Sequence, residues 1–270
     1  MKLRNIFTAI MIAGTACLVS CDKVMDKAMQ AVMESAFNHD YQDSEKWGEV
    51  VTIDLPVLAF DEVELGGAVR LEYTQDSIYS VQVYGNEKAI EAYSISSEDQ
   101  ELEASLKDAN GKVNKNTPAI TLRITAPFLT EIKAMGASDI VFMDSIVQDK
   151  ELDVNISGAG KLNLSQLKTK GLDLTISGAG EVKMDDLSCV EDVEIELSGA
   201  ANIDGRVECR KLKLKMNGAG DGKLDIYCQQ ARVSASGAAN VTLTGECDNY
   251  EHTTSGSSNV NDVGMKIGKE

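Results

Sequence analysis

The sequence SGAGKL at residues 157–162 decides the fold, because close copies of it recur through the second half of the chain. The first glycines of the seven copies are Gly136, Gly158, Gly178, Gly199, Gly218, Gly237 and Gly256. Successive glycines are therefore separated by 22, 20, 21, 19, 19 and 19 residues. A period of this length is typical of a solenoid, in which each repeat forms one coil that buries its apolar face only against its neighbours.

Apolar residues occupy fixed positions around each glycine. Leu152, Val154 and Ile156 precede Gly158 at alternate positions, and Leu162 follows it. The pattern recurs at Leu172, Leu174 and Ile176, at Val193, Ile195 and Leu197, and at Leu212, Leu214 and Met216. Side chains alternate between the two faces of a strand, so these residues are predicted to stack in inward columns, about 4.8 Å from coil to coil. Each glycine is predicted to mark a bend where φ is positive or two backbones approach closely.

Charged residues occupy an outward position of the repeat. Its members in successive coils are Asp153, Asp173, Glu194, Lys213, Arg232 and Glu251. We predict that Glu194 pairs with Lys213 and that Arg232 pairs with Glu251. Each ion pair is worth less than about 1 kcal/mol at an exposed site.

The last repeat departs from the apolar pattern. Tyr250, His252 and Thr254 occupy the positions that are apolar before the other glycines. A solenoid needs a polar terminal coil, because its open end would otherwise pair with the strands of other molecules. We therefore predict that this repeat caps the stack.

Before Gly136 the repeat is degenerate, although short alternating segments continue. Strands are predicted at residues 50–53, 57–60 and 63–65, and again at 79–84, 101–106 and 120–124. The 69 residues between Gly67 and Gly136 leave room for about three coils. Residues 107–118 are rich in Asp, Asn, Lys and Gly, and we predict that they form a long protruding loop.

The N-terminal residues have the pattern of an export signal. Lys2 and Arg4 precede an apolar run over residues 6–19, which is too short for a lasting membrane span. The run ends in LVSC at residues 18–21, which resembles the bacterial lipobox. We predict that Cys21 becomes the acylated mature N-terminus. The alternative is an ordinary secretory peptide with an incidental cysteine.

Apolar residues at helical spacing follow over residues 22–37 and predict an amphipathic helix. It could lie on a membrane or bind a partner, but its mixed charges favour packing against the solenoid or spacing it from the anchor. The predicted organisation is a signal peptide at 1–20, then the lipid anchor, helix and tether at 21–48. Irregular coils at 49–135 and regular repeats at 136–270 belong to one domain.

Four cysteines follow the repeat. Cys189, Cys209, Cys228 and Cys247 are separated by 20, 19 and 19 residues, so they are predicted to form one column. This spacing does not resemble a zinc site. Disulfides between Cys189 and Cys209 and between Cys228 and Cys247 are one interpretation, and buried free thiols are the other.

Composition narrows the classes of function. A net charge of −17 makes nucleic acid an unfavourable partner. The chain has 2 histidines, His39 and His252, and no motif places a nucleophile beside either. Some parallel β-helices are polysaccharide lyases that use clustered acids and calcium. Asp139, Glu181 and Asp221 share one phase of the repeat, but Lys161 and asparagines alternate with them, which indicates turn chemistry. We predict a protein that is not an enzyme, with no catalytic residue, cofactor or metal site.

The SGAG and SGAA segments, together with FDEVELGGA at 60–68 and VQVY at 81–84, resemble the head GIN domain family. Its members are lipoproteins or secreted proteins described as auto-transporter adhesins, common in Bacteroidetes. The resemblance covers residue 49 to the C-terminus. It implies an all-β fold, a right-handed single-stranded parallel β-helix, and it supplies no catalytic residues.

The leading hypothesis is a cell-envelope lipoprotein, held at the outer membrane by the lipid on Cys21, that binds a glycan or a protein surface. The alternatives are a structural envelope component without a ligand and a polysaccharide-active enzyme. The sequence leaves open the face of the membrane and the oligomeric state.

Overall fold

The computed structural model describes residues 44–106 and 117–268, together with six positions between Lys27 and Phe37. These residues form an all-β fold, in which eleven strands make one extended sheet. Two short helices, α1 (Ser44–Trp47) and α2 (Glu87–Glu91), accompany it, and the six described N-terminal positions are also helical. The strands are β1 (Val50–Leu55), β2 (Glu62–Gln75), β3 (Ser80–Asn86), β4 (Tyr93–Glu98), β5 (Glu101–Leu106), β6 (Ile120–Ala126), β7 (Glu131–Val147), β8 (Leu152–Thr169), β9 (Leu172–Cys189), β10 (Asp192–Gly256) and β11 (Asn259–Ile267).

The repeats lie side by side in parallel, glycine against glycine. The main order of strands is β1-β3-β6-β2-β7-β8-β9-β10-β11, and β5 joins β4 to β2. Gly136 of β7 pairs with Gly158 of β8, which pairs in turn with Gly178 of β9. Strand β10 is 65 residues long and contains several repeats. Within it, the Lys215 ammonium lies 3.1 Å from the Glu196 carboxylate, so repeats 19 residues apart are neighbours.

The irregular first part of the sheet differs from its prediction. Gly67 of β2 pairs directly with Gly136, so the prediction of about three coils between them is wrong. On its other edge, β2 pairs in parallel with β5 over one half and with β6 over the other half. Three pairs in this part of the sheet are antiparallel, namely β1 with β3, β3 with β6, and β4 with β5. Alternation of apolar residues shows which face of a strand is buried, but it does not show the partner or direction of pairing.

A proline explains why the strand predicted at residues 57–60 does not form. Residues 57–60 were expected to form a strand, but β1 ends at Leu55 and no regular strand follows until Glu62. Pro56 stands directly after β1 and has no N–H to donate to a neighbouring strand. Phe60 is nevertheless buried, because this irregular segment packs on the core. The predicted loop at 107–118 lies mostly outside the described residues, which resume at Thr117.

The core follows the inward columns along the whole stack. The apolar triplets before Gly158, Gly178, Gly199 and Gly218 are between 0% and 3% exposed, which confirms their inward assignment. The final repeat has a thinner core. Its Tyr250 is only partly buried, and the His252 Nδ1 atom lies 3.3 Å from an Asp262 carboxylate oxygen. The predicted polar character of this end of the stack is therefore confirmed.

A helix was predicted over residues 22–37, and the six described positions in this range are all helical. Met33 is buried, whereas Lys27 and Glu34 are exposed, which agrees with an amphipathic helix. Phe37 and Met33 line an open cleft of about 470 Å³ together with sheet residues that include Arg70. The described part of the helix therefore packs against the sheet.

Candidate functional site: the acidic column

The glycines explain how each repeat presents two outward faces. All seven repeat glycines have a positive φ, from 74° to 138°. They lie inside or at the ends of continuous strands, so the strand bends there without leaving its ladder. A Cβ atom on Gly178 would lie 2.1 Å from the carbonyl oxygen of Gly158. Consecutive backbones thus approach more closely at the bend than any side chain allows.

Carboxylates line the outward face that precedes the bend. We define the acidic column by its members in spatial order, which are Glu101, Glu62, Glu131, Asp153, Asp173 and Glu194. Each of these residues is the register partner of the next, on strands β5, β2, β7, β8, β9 and β10. Neighbouring strands lie about 4.8 Å apart, so the column places six carboxylates along about 25 Å of surface.

Cations approach only part of the acidic column. The Lys133 ammonium lies 2.8 Å from a Glu131 carboxylate oxygen, and the Lys213 ammonium lies 2.5 Å from Glu194. Among the described residues, no cationic nitrogen lies within 4.0 Å of the carboxylates of Asp153 or Asp173. Within the described part of the chain, Asp153 and Asp173 therefore have no ion pair, and neither do Glu101 and Glu62 at the other end of the column.

Carboxyl pKa values reflect this arrangement. Partial burial, and then the charges of Asp173 and Glu131, raise the pKa of Asp153. Partial burial and the charge of Glu194 raise the pKa of Asp173. The hydrogen bond from Lys213, in contrast, lowers the pKa of Glu194.

The raised pKa values have a consequence for stability. The folded chain binds protons at Asp153 and Asp173 more tightly than the unfolded chain does. The free energy of unfolding therefore falls as the pH rises from the aspartate pKa of the unfolded chain to the raised pKa of the folded chain. It stays at this lower value up to neutral pH. The centre of the acidic column opposes folding under the conditions in which it is fully charged.

A second outward column lies beyond the bend and contains the acids that were compared with lyase residues. Asp139 forms an ion pair with Arg70, and Glu181 lies 3.4 Å from the Lys161 ammonium. Asp221 accepts a hydrogen bond of 3.2 Å from Asn240. The acids of this column are thus paired with their neighbours. Among the described residues, no group of three or more His, Cys, Asp or Glu side chains is arranged to hold a metal ion.

The remaining sequence predictions concern two ion pairs and residues that lie outside the described part of the chain. Both predicted ion pairs form, Glu194 with Lys213 and Arg232 with Glu251. Cys21 and His39 lie outside the described residues. Nowhere in the described part of the chain is a helix both long and apolar enough to cross a bilayer.

The four cysteines occupy one position in four successive repeats. Cys189, Cys209 and Cys247 are buried, and Cys228 is half-buried. The Sγ atoms of Cys228 and Cys247 are 3.4 Å apart. The column predicted from the spacing thus brings at least these two thiols into contact.

Sequence reasoning found only half of the acidic column. It identified Asp153, Asp173 and Glu194, but it missed Glu62, Glu131 and Glu101. Glu62 and Glu131 stand five residues before Gly67 and Gly136, the same phase as Asp153 before Gly158, so the repeat itself carried the signal. Glu101 gave no such signal, because β5 contains no repeat glycine.

These features define an all-β repeat protein in which glycine-bent strands stack in parallel and present charged columns outward. The chain matches a family described as "Putative auto-transporter adhesin, head GIN domain" over residues 59–206 and 186–269. It therefore belongs to this family, as the resemblance of its repeat segments predicted. A comparison with curated proteins finds no match.

Solved structures of similar fold come from Bacteroidetes. A "putative adhesin" from Bacteroides fragilis is 20% identical, with a TM-score of 0.69 over 79% of this chain and 96% of that chain. A "putative lipid binding protein" from Parabacteroides distasonis is 18% identical, with a TM-score of 0.59 over 80% of this chain and 98% of that chain. A "putative adhesin" from the same organism is 13% identical, with a TM-score of 0.57 over 79% of this chain and 97% of that one. At these identities the likeness concerns the fold.

Proposed function

We propose that the chain is a lipid-anchored, non-catalytic protein of the cell envelope that binds a cationic protein or glycan surface through the acidic column. The observation that carries the proposal is the succession of six carboxylates on neighbouring strands. Regular spacing suits a polymer, because each repeat offers the same weak contact and the contacts act together. The family's description as an adhesin head agrees with a binding role.

The loss of folding stability at the acidic column supports a role in binding. Desolvation, and then the like charges of their neighbours, raise the pKa values of Asp153 and Asp173, so these two carboxylates oppose folding at neutral pH. Neutral side chains would fit the same outward positions. Features that break a rule of stability are most often found at functional sites. A cationic partner would neutralise the central carboxylates and relieve their repulsion.

Neutralising the centre of the acidic column should weaken binding to a cationic polymer. We expect the triple variant Glu131→Gln, Asp153→Asn, Asp173→Asn to bind immobilised poly-lysine about tenfold more weakly at low salt, because three exposed ion pairs are worth about 1–2 kcal/mol together. Biolayer interferometry measures the affinity for poly-lysine. The same measurement with chitosan oligomers tests an amine-bearing glycan, and dextran serves as the neutral glycan. Binding should also weaken as salt is raised.

A matched control separates the acidic column from the overall charge. The variant Asp144→Asn, Asp185→Asn, Asp204→Asn removes the same number of charges from exposed aspartates outside the column. We expect it to retain wild-type binding within about twofold, since its binding face is unchanged. Equal weakening by both triple variants would contradict the proposal and assign the binding to net charge.

The proposed anchor is tested separately. We expect Cys21→Ser to move the protein from the membrane fraction to the soluble fraction, because acyl chains contribute about 0.8 kcal/mol for each buried methylene. Mass spectrometry of the N-terminal peptide should find acyl groups in the wild type. An unmodified Cys21 in membrane-associated protein would contradict the anchor, and protease treatment of intact cells would identify the exposed face.

The proposal includes a finer architecture, in which the parallel repeats wind as a right-handed β-helix. Its support is the continuity of β10 through several repeats, together with the glycine-to-glycine register between neighbours. Most connections between parallel strands are right-handed. A crystal structure in which the repeats wind with the opposite hand would overturn this part.

A further inference from the structure

Three thiols follow one another in the last repeats. Cys209, Cys228 and Cys247 are separated by 19 residues each, and β10 contains all three. The Sγ atoms of Cys228 and Cys247 are 3.4 Å apart, and the repeat spacing places Cys209 one repeat before Cys228. Cys228 can therefore form one covalent bond to a neighbour, but not to both.

We propose that oxidation joins Cys228 and Cys247 in a disulfide that ties together the last repeats of the stack. Residues in register on adjacent strands have Cα atoms about 4.8 Å apart, within the range of about 4.4–6.8 Å that a disulfide spans. The two sulfur atoms must approach each other by about 1.4 Å, since the S–S bond length is about 2.05 Å. Small rotations about the Cα–Cβ bonds can provide this movement.

The position suits a covalent link. Cys247 pairs in register with Ile267 of β11, the strand at the C-terminal end of the stack. Val263 and Ile267 on this strand are 91% and 54% exposed, so little apolar burial holds it. Fixing Cys247 to Cys228 holds the strand segment against which β11 lies. The link thereby stabilises the part of the fold where the core is thinnest.

The oxidant is a low-molecular-weight disulfide such as oxidised glutathione. The Cys228 thiolate attacks one of its sulfur atoms, which forms a mixed disulfide and releases one glutathione thiolate. The Cys247 thiolate then attacks the Cys228 sulfur, forms the Cys228–Cys247 bond and releases the second glutathione thiolate. Two electrons pass from the protein to the oxidant, and the two thiol protons end on the two released glutathiones. Exchange of this kind requires a thiolate.

Burial controls the rate of this exchange. It raises the pKa of Cys247 to about 12, so few thiolates are present at neutral pH. The contact with Cys209, and then burial, raise the pKa of Cys228. We therefore expect slow oxidation that accelerates as the pH is raised. Cys228 is the most exposed of the four thiols, so a dissolved disulfide reaches it first.

Treating the full folded chain with oxidised glutathione tests the proposal. We expect the number of thiols that react after denaturation without reductant to fall by two, and the peptide map to contain a Cys228–Cys247 crosslink. The thiol count of Cys189→Ala should also fall by two on oxidation. The thiol count of Cys228→Ala should not change on oxidation. Thermal melts show whether each variant folds, and only the wild type and Cys189→Ala should gain stability on oxidation.

Two results would overturn the proposal. One is an unchanged thiol count in folded wild-type protein after prolonged oxidation at alkaline pH. The other is a crosslink between any other pair of cysteines, including the Cys189–Cys209 pair that the spacing also allowed. Neither result bears on the acidic column, so this experiment and the poly-lysine experiment can fail independently.

Discussion

Replacing Gly178 by alanine should cost about 4 kcal/mol of folding free energy or prevent folding, because severe backbone collisions belong to the most destabilising substitutions. Gly178 has a φ of 134°, which L-residues with a side chain rarely adopt. The new Cβ would lie 2.1 Å from the Gly158 carbonyl oxygen and 3.0 Å from its carbonyl carbon. Both are backbone atoms, so no side-chain rotation relieves the collision.

The neighbours of Gly178 make the collision hard to avoid. Gly158 pairs with Gly136 on its other side, so a shift of Gly158 would disturb the next contact in the stack. Domain stability is typically about 5–15 kcal/mol, so the expected loss is a large fraction of the total. Urea denaturation followed by circular dichroism measures it, and the yield of soluble protein reports a complete failure to fold.

Gly85→Ala is the control for this substitution. Gly85 lies in β3 with a φ outside the left-handed range, and the nearest atom to an added Cβ would be a methyl carbon of Ile120 at 3.4 Å. This is an ordinary contact, so we expect a change within about 0.5 kcal/mol. A Gly178→Ala protein that unfolds within about 1 kcal/mol of the wild type would show that the backbones can separate at the bend.

Replacing Leu174 by alanine should cost about 3 kcal/mol, because the substitution leaves a cavity in the centre of the stack. Leu174 is fully buried and lies between its register partners Val154 and Ile195, which are also fully buried. Backbone hydrogen bonds hold the strands of these partners in place, so they cannot collapse into the space. The urea midpoint should fall with little change in the slope of the transition.

Thr175→Ala is the matched control, because Thr175 follows Leu174 on the same strand but faces outward. Its side chain is half-buried, and its truncation should cost less than about 1 kcal/mol. Equal losses from the two substitutions would contradict the assignment of inward and outward positions on β9. The comparison is internal to one strand, so differences in β-propensity between regions of the sheet do not affect it.

Short-range patterns predicted the local features of the fold well. The expected strand at 101–106 coincides with β5, and those at 79–84 and 120–124 lie largely within β3 and β6. Strand β4 and helix α2, at Tyr93–Glu98 and Glu87–Glu91, were missed. The YSISSE sequence of β4 offers little apolar alternation, and one five-residue helix is too short to show a helical period.

The pairing of the first strands could not be predicted in the same way. Strands β5 and β6 lie along the two halves of β2, although 25 or more residues separate each of them from β2 in the chain. No repeat glycine marks their register, and both parallel and antiparallel pairing would bury their apolar faces. The antiparallel β3–β6 and β4–β5 pairs were therefore visible only in the folded chain.

The sequence by itself determined the repeating part of this protein. The repeat glycines mark the register, because the same positive-φ bend recurs once in each repeat and these bends stack on one another, and the inward and outward columns follow from that register. The tertiary structure decided that β5 and β2 precede β7 in space, and so placed Glu101 and Glu62 in line with Glu131 at one end of the acidic column. The physical reason is that alternation specifies a face, whereas only the packing of the whole sheet selects which strands become neighbours.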